Sequence, residues 1–224
     1  MIQGVLFDLF ETLVTESRAS IRRASSLAAH LGVEEGAYRQ QWRSRRLDIV
    51  LGRCSFPETL AQIVRTLGGR TDEAILEQLR SERVQQKADL FRTVEPEILA
   101  ALEALRARRL KLGLITNSFA EDVAGWERSP LRPFFDSTVM SCAVGLAKPD
   151  PEIYLLACRD LQVAPDQTLF VGDGADDELH GARSGGLRAC RALWFASGWP
   201  RGTVAREDAG LWRAADVVHA AMAA

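Results

Sequence analysis

The sequence predicts an α/β protein: a doubly wound parallel sheet, interrupted just after its first strand by a block of four helices. Three observations carry this. From about residue 92 onward, short apolar runs alternate with helical segments of 10–15 residues, the pattern of βαβ units and a parallel sheet. An apolar run rich in strand formers, QGVLF at 3–7, opens the chain. Between about 15 and 91 no strand pattern occurs, while apolar residues recur at helical spacing.

The elements follow in order. The 3–7 strand ends in Asp8. In the helical block, Ile21, Ala24, Leu27, Ala28 and Leu31 share one face, and Gly32 follows as a stop. Tyr38, Trp42, Ile49 and Val50 mark a second helix. Leu60, Ile63, Val64 and Leu67 mark a third, with Pro57 in its first turn and Gly68-Gly69 after it. Ile75, Leu76, Leu79 and Val84 mark a fourth, enough for a small bundle. A helix near 95–108 starts at Pro96 and turns Ile98, Leu99, Leu102 and Leu105 inward. Strands are then expected at 110–116, 137–142, 168–172 and 187–193, with helices near 119–127, 150–161 and 175–184. The tail from 199 carries no clear pattern. The division is a core of 1–14 plus 92–224 and an insert of 15–91.

Composition narrows the function classes. The chain has 224 residues, 47% apolar and 26% charged, an ordinary globular balance large enough to fold without disulfides or a structural metal. Net charge is −2, against the basic excess of a nucleic-acid binder. Only three lysines occur, Lys87, Lys111 and Lys148. The cysteines, Cys54, Cys142, Cys158 and Cys190, are spaced 88, 16 and 32 apart, so thiols in a reducing cytosol are expected. Asp8 cuts the N-terminal apolar run short, and no run of 18 apolar residues occurs. Neither a signal peptide nor a membrane span is expected, and the location is read as cytoplasmic.

In an open parallel sheet, ligands bind beyond the carboxyl ends of the strands. There the sequence places Asp8 with Thr12, then Thr116-Asn117-Ser118, then Lys148 in a Gly/Pro-rich loop, then Gly172-Asp173-Gly174-Ala175-Asp176-Asp177. Crowded carboxylates call for a cation. Oxygen ligands suit Mg²⁺, and lysine and hydroxyl donors beside it suit a phosphoryl group.

FDLFETL, LITNS, GLAKPDPEIY and FVGDGADDELHGA, in that order and on those elements, resemble the four motifs of the haloacid dehalogenase-like (HAD) hydrolases. The resemblance implies a Rossmann-like core with a helical cap inserted after motif one. It implies that Asp8 is a nucleophile forming an aspartyl-phosphate. Mg²⁺ would be held by Asp8, the backbone carbonyl of Phe10, Asp173 and, directly or through water, Asp177. Thr116 would donate its hydroxyl to the phosphoryl group, and Lys148 would neutralise its charge. Asn117 would either orient that group through its backbone N–H or cap the turn. Thr12 would brace the motif-one loop.

One position departs from the pattern. Phosphatases of the family usually carry a second Asp two residues after the nucleophile, where this chain has Phe10. That residue can neither protonate a leaving group nor activate water, a contribution of about 10²–10⁴-fold. Haloacid dehalogenases carry an aromatic residue there, but they lack the Gly172-Asp173 pair and bind no Mg²⁺. The expected function is therefore a Mg²⁺-dependent hydrolase of small phosphorylated metabolites, slow or selective for good leaving groups. The alternatives are a 2-haloacid dehalogenase using Asp8, and a catalytically silent ligand-binding protein. Asp150 reads as a helix cap and Asp176 as the solvent-facing neighbour of Asp177. Glu178 reads as first-turn charge complementing the helix dipole. Tyr38, Trp42, Arg45, Arg46 and Arg53 of the insert are candidate substrate contacts, set against the simpler roles of core aromatics and solvated charges.

Overall fold

A computed structural model describes residues 1–16, 24–196 and 210–223. Strand β1 (Gly4–Phe7) leads into four helices: α1 (Ala24–His30), α2 (Glu35–Val50), α3 (Phe56–Thr66) and α4 (Glu73–Arg92). Alternation then begins with α5 (Pro96–Ala107), β2 (Lys111–Thr116), α6 (Ala120–Val123), β3 (Ser137–Met140) and α7 (Ser141–Val144). It continues with α8 (Pro151–Leu161), β4 (Thr168–Gly172), α9 (Glu178–Ser184), β5 (Arg188–Ala192), β6 (Gly210–Leu211) and α10 (Asp216–Met222). Ile21 and tail residues 199–209 lie outside the described residues.

The six strands form one sheet in the order β3-β2-β1-β4-β5-β6, every pairing parallel. All residues of β1 and β4 are buried, as expected where helices cover both faces. Side chains alternate across the sheet. Val5, Phe7, Leu112, Leu114, Leu169 and Val171 join α5 and α10 in one apolar cluster. Leu6, Ile115 and Phe170 join α8 and α9 in another. Strand order reverses at β1, which lies between β2 and β4. The carboxyl end of β1 is thus the switch point where a crevice opens.

The four inserted helices share a third cluster, which also takes in Phe119 and Ala147 from the loops beyond β2 and β3. Their ends carry local stop and start signals. Ser55 and Glu58 make a reciprocal capping box on α3, and Asp72 accepts from the first N–H groups of α4. Asp150 caps α8, accepting from the Glu152 backbone. The insert approaches the core closely at Gly52, where a Cβ would fall 2.0 Å from the Cys142 carbonyl.

Three sequence expectations shift. The strand expected over 137–142 ends at Met140, because Ser141 begins α7, which closes at Gly145 with a left-handed φ of 70°. The helix expected over 119–127 breaks into α6 and a 3-10 turn at Trp126–Arg128, with Gly125 packed against Ala88 of α4. Elements β6 and α10 were not legible, β6 being two residues long. No disulfide joins the four cysteines. Among the described residues, no helix is long and apolar enough to cross a membrane.

Leu105 on α5 is fully buried, whereas Leu47 on α2 is 59% exposed. Leu105→Ala is expected to lower the unfolding free energy by about 2–5 kcal/mol, and Leu47→Ala by under about 0.5 kcal/mol. Urea unfolding of the two variants beside the parent checks this.

Candidate active site

The carboxyl end of β1 delivers Asp8, whose backbone N–H bonds the Val171 carbonyl of β4 at 2.9 Å. Asp8 as a whole is 6% exposed. Lys148, from the loop between α7 and α8, reaches into the same place and donates its ammonium to Asp8 Oδ1. It also donates to Glu178 Oε2, at 2.5 Å. Lys148 is held by its backbone. Asn117, just beyond β2, accepts the Lys148 N–H at 2.8 Å and donates its amide to the Lys148 carbonyl at 2.8 Å. The Asn117 side chain therefore clamps the lysine loop, a role distinct from the two considered from sequence. The Thr116 hydroxyl, fully buried at the end of β2, has no partner among the described residues.

Beyond β4 the chain brings in Asp173 and Glu178. Asp173 Oδ1 accepts from the Ala175 N–H at 3.0 Å, and Glu178 Oε1 accepts from the Gly174 N–H at 2.9 Å. Gly172 leaves the space that Glu178 crosses: a Cβ there would lie 2.2 Å from Glu178 Oε1. Asp8, Asp173 and Glu178, all buried, each offer a carboxylate oxygen within 4.8 Å of the others.

Electrostatics follow from this crowding. Burial pushes Asp8 up to about 7, with the Glu178 charge adding to it and Lys148 opposing. Burial and then the Asp8 charge raise Asp173. Burial raises Glu178 against the pull of Lys148. Burial alone would lower Lys148, but the charges of Asp8 and Glu178 outweigh it and hold the lysine as a cation. One ammonium therefore faces three carboxylates, and the oxygen-only donor set fits a hard divalent cation.

The acids after β4 are arranged differently from the order the sequence suggests. Asp177 is exposed and stands apart from this cluster, and Glu178 takes the inward place. Asp176 and Asp177 both adopt left-handed backbone (φ 52° and 56°), which swings Asp177 outward before α9 begins. Asp176 is the one that lines the cavity, accepting from Arg46 at 2.9 Å and from the Asn117 amide at 3.1 Å. Glu178 is 1% exposed and bonded to Lys148, so its place reflects an interior contact more than the helix dipole. The signal for it was the small pair Gly181-Ala182 one turn on. This pair marks the face packed toward Pro149, whose carbonyl a Gly181 Cβ would meet at 2.3 Å. The Thr12 hydroxyl has no partner among the described residues; the Thr12 carbonyl accepts the Trp194 indole N–H at 2.8 Å instead.

The cluster opens into a cavity of about 420 Å³ between the sheet end and the insert. Of the insert candidates, Tyr38, Trp42 and Arg46 line it. Arg45 bonds Gln41 and Thr66, and Arg53 bonds Asp48, outside it. Two lining cations were missed from sequence. Arg83 pairs with both oxygens of Asp122 at 2.7 and 3.0 Å. Lys87, 4% exposed, pairs with Glu16 and stands 4.1 Å from the Phe10 ring centroid.

Comparison with known proteins agrees with this geometry. The family model described as haloacid dehalogenase-like hydrolase matches residues 2–186. A glyceraldehyde 3-phosphate phosphatase of Methanopyrus kandleri is 28% identical over 198 residues, spanning 85% of this chain and 84% of that protein. An (S)-2-haloacid dehalogenase 4A of Burkholderia cepacia is 27% identical over 200 residues, spanning 85% and 82%. In fold, the crystal structure of a 2-haloacid dehalogenase from Pseudomonas syringae pv. tomato superposes with a TM-score of 0.71 at 24% identity, covering 100% of this chain and 99% of that one. With a parallel sheet that gathers Asp8, Lys148 and Asp173 at one rim and a family match over most of its length, this chain belongs to the haloacid dehalogenase-like hydrolases.

Proposed function

We propose that the protein is a Mg²⁺-dependent phosphatase of small phosphate monoesters, working through an aspartyl-phosphate on Asp8. The observation that carries this is the excess of negative charge in the cavity. Seven lining carboxylates stand against four cations, an excess of three at full ionisation. Three of the seven crowd within 4.8 Å of one another. At an effective dielectric of ~20, each such pair repels by roughly 3–4 kcal/mol. A divalent cation relieves that repulsion and draws in a dianionic phosphoryl group, whereas a haloacid anion alone would enter against the field.

Asp8, Asp173 and Glu178 would hold the ion, which supplies electrostatic stabilisation to the phosphoryl oxygens. A free Asp8 oxygen attacks phosphorus in line as the ester P–O bond breaks, and water later cleaves the aspartyl-phosphate. Lys148 offsets the charge shared by Asp8 and the transferring group. The partnerless Thr116 hydroxyl is available to donate to a phosphoryl oxygen. Asn117 acts through the Lys148 backbone. Dehalogenation remains the second reading, favoured by Phe10 beside the nucleophile.

The parent protein is expected to hydrolyse 4-nitrophenyl phosphate with Mg²⁺ and to lose that activity in EDTA. Asp8→Asn should lower turnover by at least about 10³-fold. Chloride release from chloroacetate without phosphate turnover would reverse the two readings. Retention of Mg²⁺ and phosphate with no turnover of any ester would favour a silent binding protein.

The metal assignment has its own test. Millimolar Mg²⁺ should raise the melting temperature by several degrees, since ligand at about 100 times its Kd adds about 2.7 kcal/mol. Glu178→Gln should weaken that shift by at least tenfold in Mg²⁺ concentration. Asp177→Asn should leave it within twofold, and thermal melts of the three proteins decide between the two acids.

A further inference from the structure

The cavity wall opposite Asp8 carries an unused recognition surface. Tyr38, Trp42 and Arg46 stand at i, i+4 and i+8 on α2, so they share one face of the helix. All three line the cavity. Arg46 is engaged by Asp176, Arg83 by Asp122 and Lys87 by Glu16. Among the described residues these ion pairs satisfy the wall's charges and leave no cation dedicated to a second anionic group of a ligand. What remains is aromatic. Trp42 stacks on Tyr38 with centroids 6.0 Å apart and planes 20° apart, and meets the edge of Phe119 at 5.8 Å. Phe10 adds a further ring to the lining, on the nucleophile's own loop. Tyr38 is 1% exposed, and its buried hydroxyl has no partner among the described residues. A buried donor left unpaired costs free energy that a ligand's acceptor can recover.

We infer that Tyr38 and Trp42 form the leaving-group subsite, and that its occupant is the ring of an aryl phosphate ester. The inference rests on the phosphatase reading and names its substrate class. A flat, uncharged ring suits a wall lined by aromatic side chains. Its phenoxide departs without a proton from the enzyme, which Phe10 could not supply. Asp8 bonds to phosphorus, the P–O bond to the ring oxygen breaks, and the oxygen leaves with the electron pair to be protonated by solvent. Water then cleaves the Asp8–phosphorus bond and releases phosphate. The Tyr38 hydroxyl is the donor for a polar ring substituent.

Steady-state kinetics on 2-naphthyl phosphate, glycerol 3-phosphate and acetyl phosphate test this, all with Mg²⁺. Acetyl phosphate has a good leaving group and no ring. The parent should prefer the naphthyl ester over glycerol 3-phosphate by at least 100-fold in kcat/KM. Trp42→Ala should lower kcat/KM for the naphthyl ester at least tenfold more than for acetyl phosphate, chiefly through KM, and Trp42→Phe should recover most of the loss. Equal losses on the naphthyl ester and on acetyl phosphate would make Trp42 a packing residue only and overturn the subsite. So would an unchanged naphthyl KM, or a parent that favours glycerol 3-phosphate. Acetyl phosphate turnover by the parent reads the phosphatase assignment separately. If it is hydrolysed while the ring shows no advantage, the subsite alone fails; if none of the three compounds is hydrolysed, both fail.

Discussion

Three buried carboxylates compete for one ammonium, and the rest of the site is arranged around that imbalance. Lys148 bonds Asp8 and Glu178 together, while Asp173 accepts a single backbone N–H. Burial raises all three acids, which means that the folded chain holds their charges at a free-energy penalty. A protein keeps such a cluster where the charges serve a ligand, because burying an unpaired carboxylate otherwise works against folding. The same feature carries the phosphatase proposal, in which a net negative cavity suits a cation with a phosphoryl group better than a lone organic anion.

The scaffold imposes this arrangement through elements that have little freedom. Parallel pairing of β1 with β2 and β4 fixes the register of their ends, so Asp8, Thr116 and Asp173 emerge at one rim. Lys148 arrives on a loop, and the two Asn117 hydrogen bonds to its backbone replace the rigidity that a strand would supply. Asn117 also touches Asp176, which Arg46 of the insert grips in turn. A single chain of polar contacts thus runs from the insert to the lysine loop, and the position of α2 is coupled to that of the lysine.

Legibility in the sequence tracked backbone regularity. Asp8, Thr116 and Asp173 were readable because each ends an apolar run, and a strand's end is a fixed point from which to count. Lys148 was readable from its Gly/Pro-rich setting. Which of Asp177 and Glu178 turns inward was not legible, because consecutive left-handed residues at 176 and 177 break the phase between the end of β4 and the first turn of α9. No period of 2 or 3.6 carries across that break. Arg83 and Lys87 went unread for a different reason. On α4 they look like charges on a solvated face, and only the docking of that helix over Phe10 and Phe119 makes them interior. Elements β6 and α10 were too short or too weakly patterned to be seen.

The claim on which the account turns is that Asp8, Asp173 and Glu178 together ligate a divalent cation. A crystal of the protein grown with Mn²⁺ and measured for anomalous scattering addresses it directly. The account predicts one strong peak within about 2.0–2.6 Å of an oxygen from each of the three residues. A map with no peak between them, or with the ion bound by Asp177 and Glu178 turned away, would contradict it.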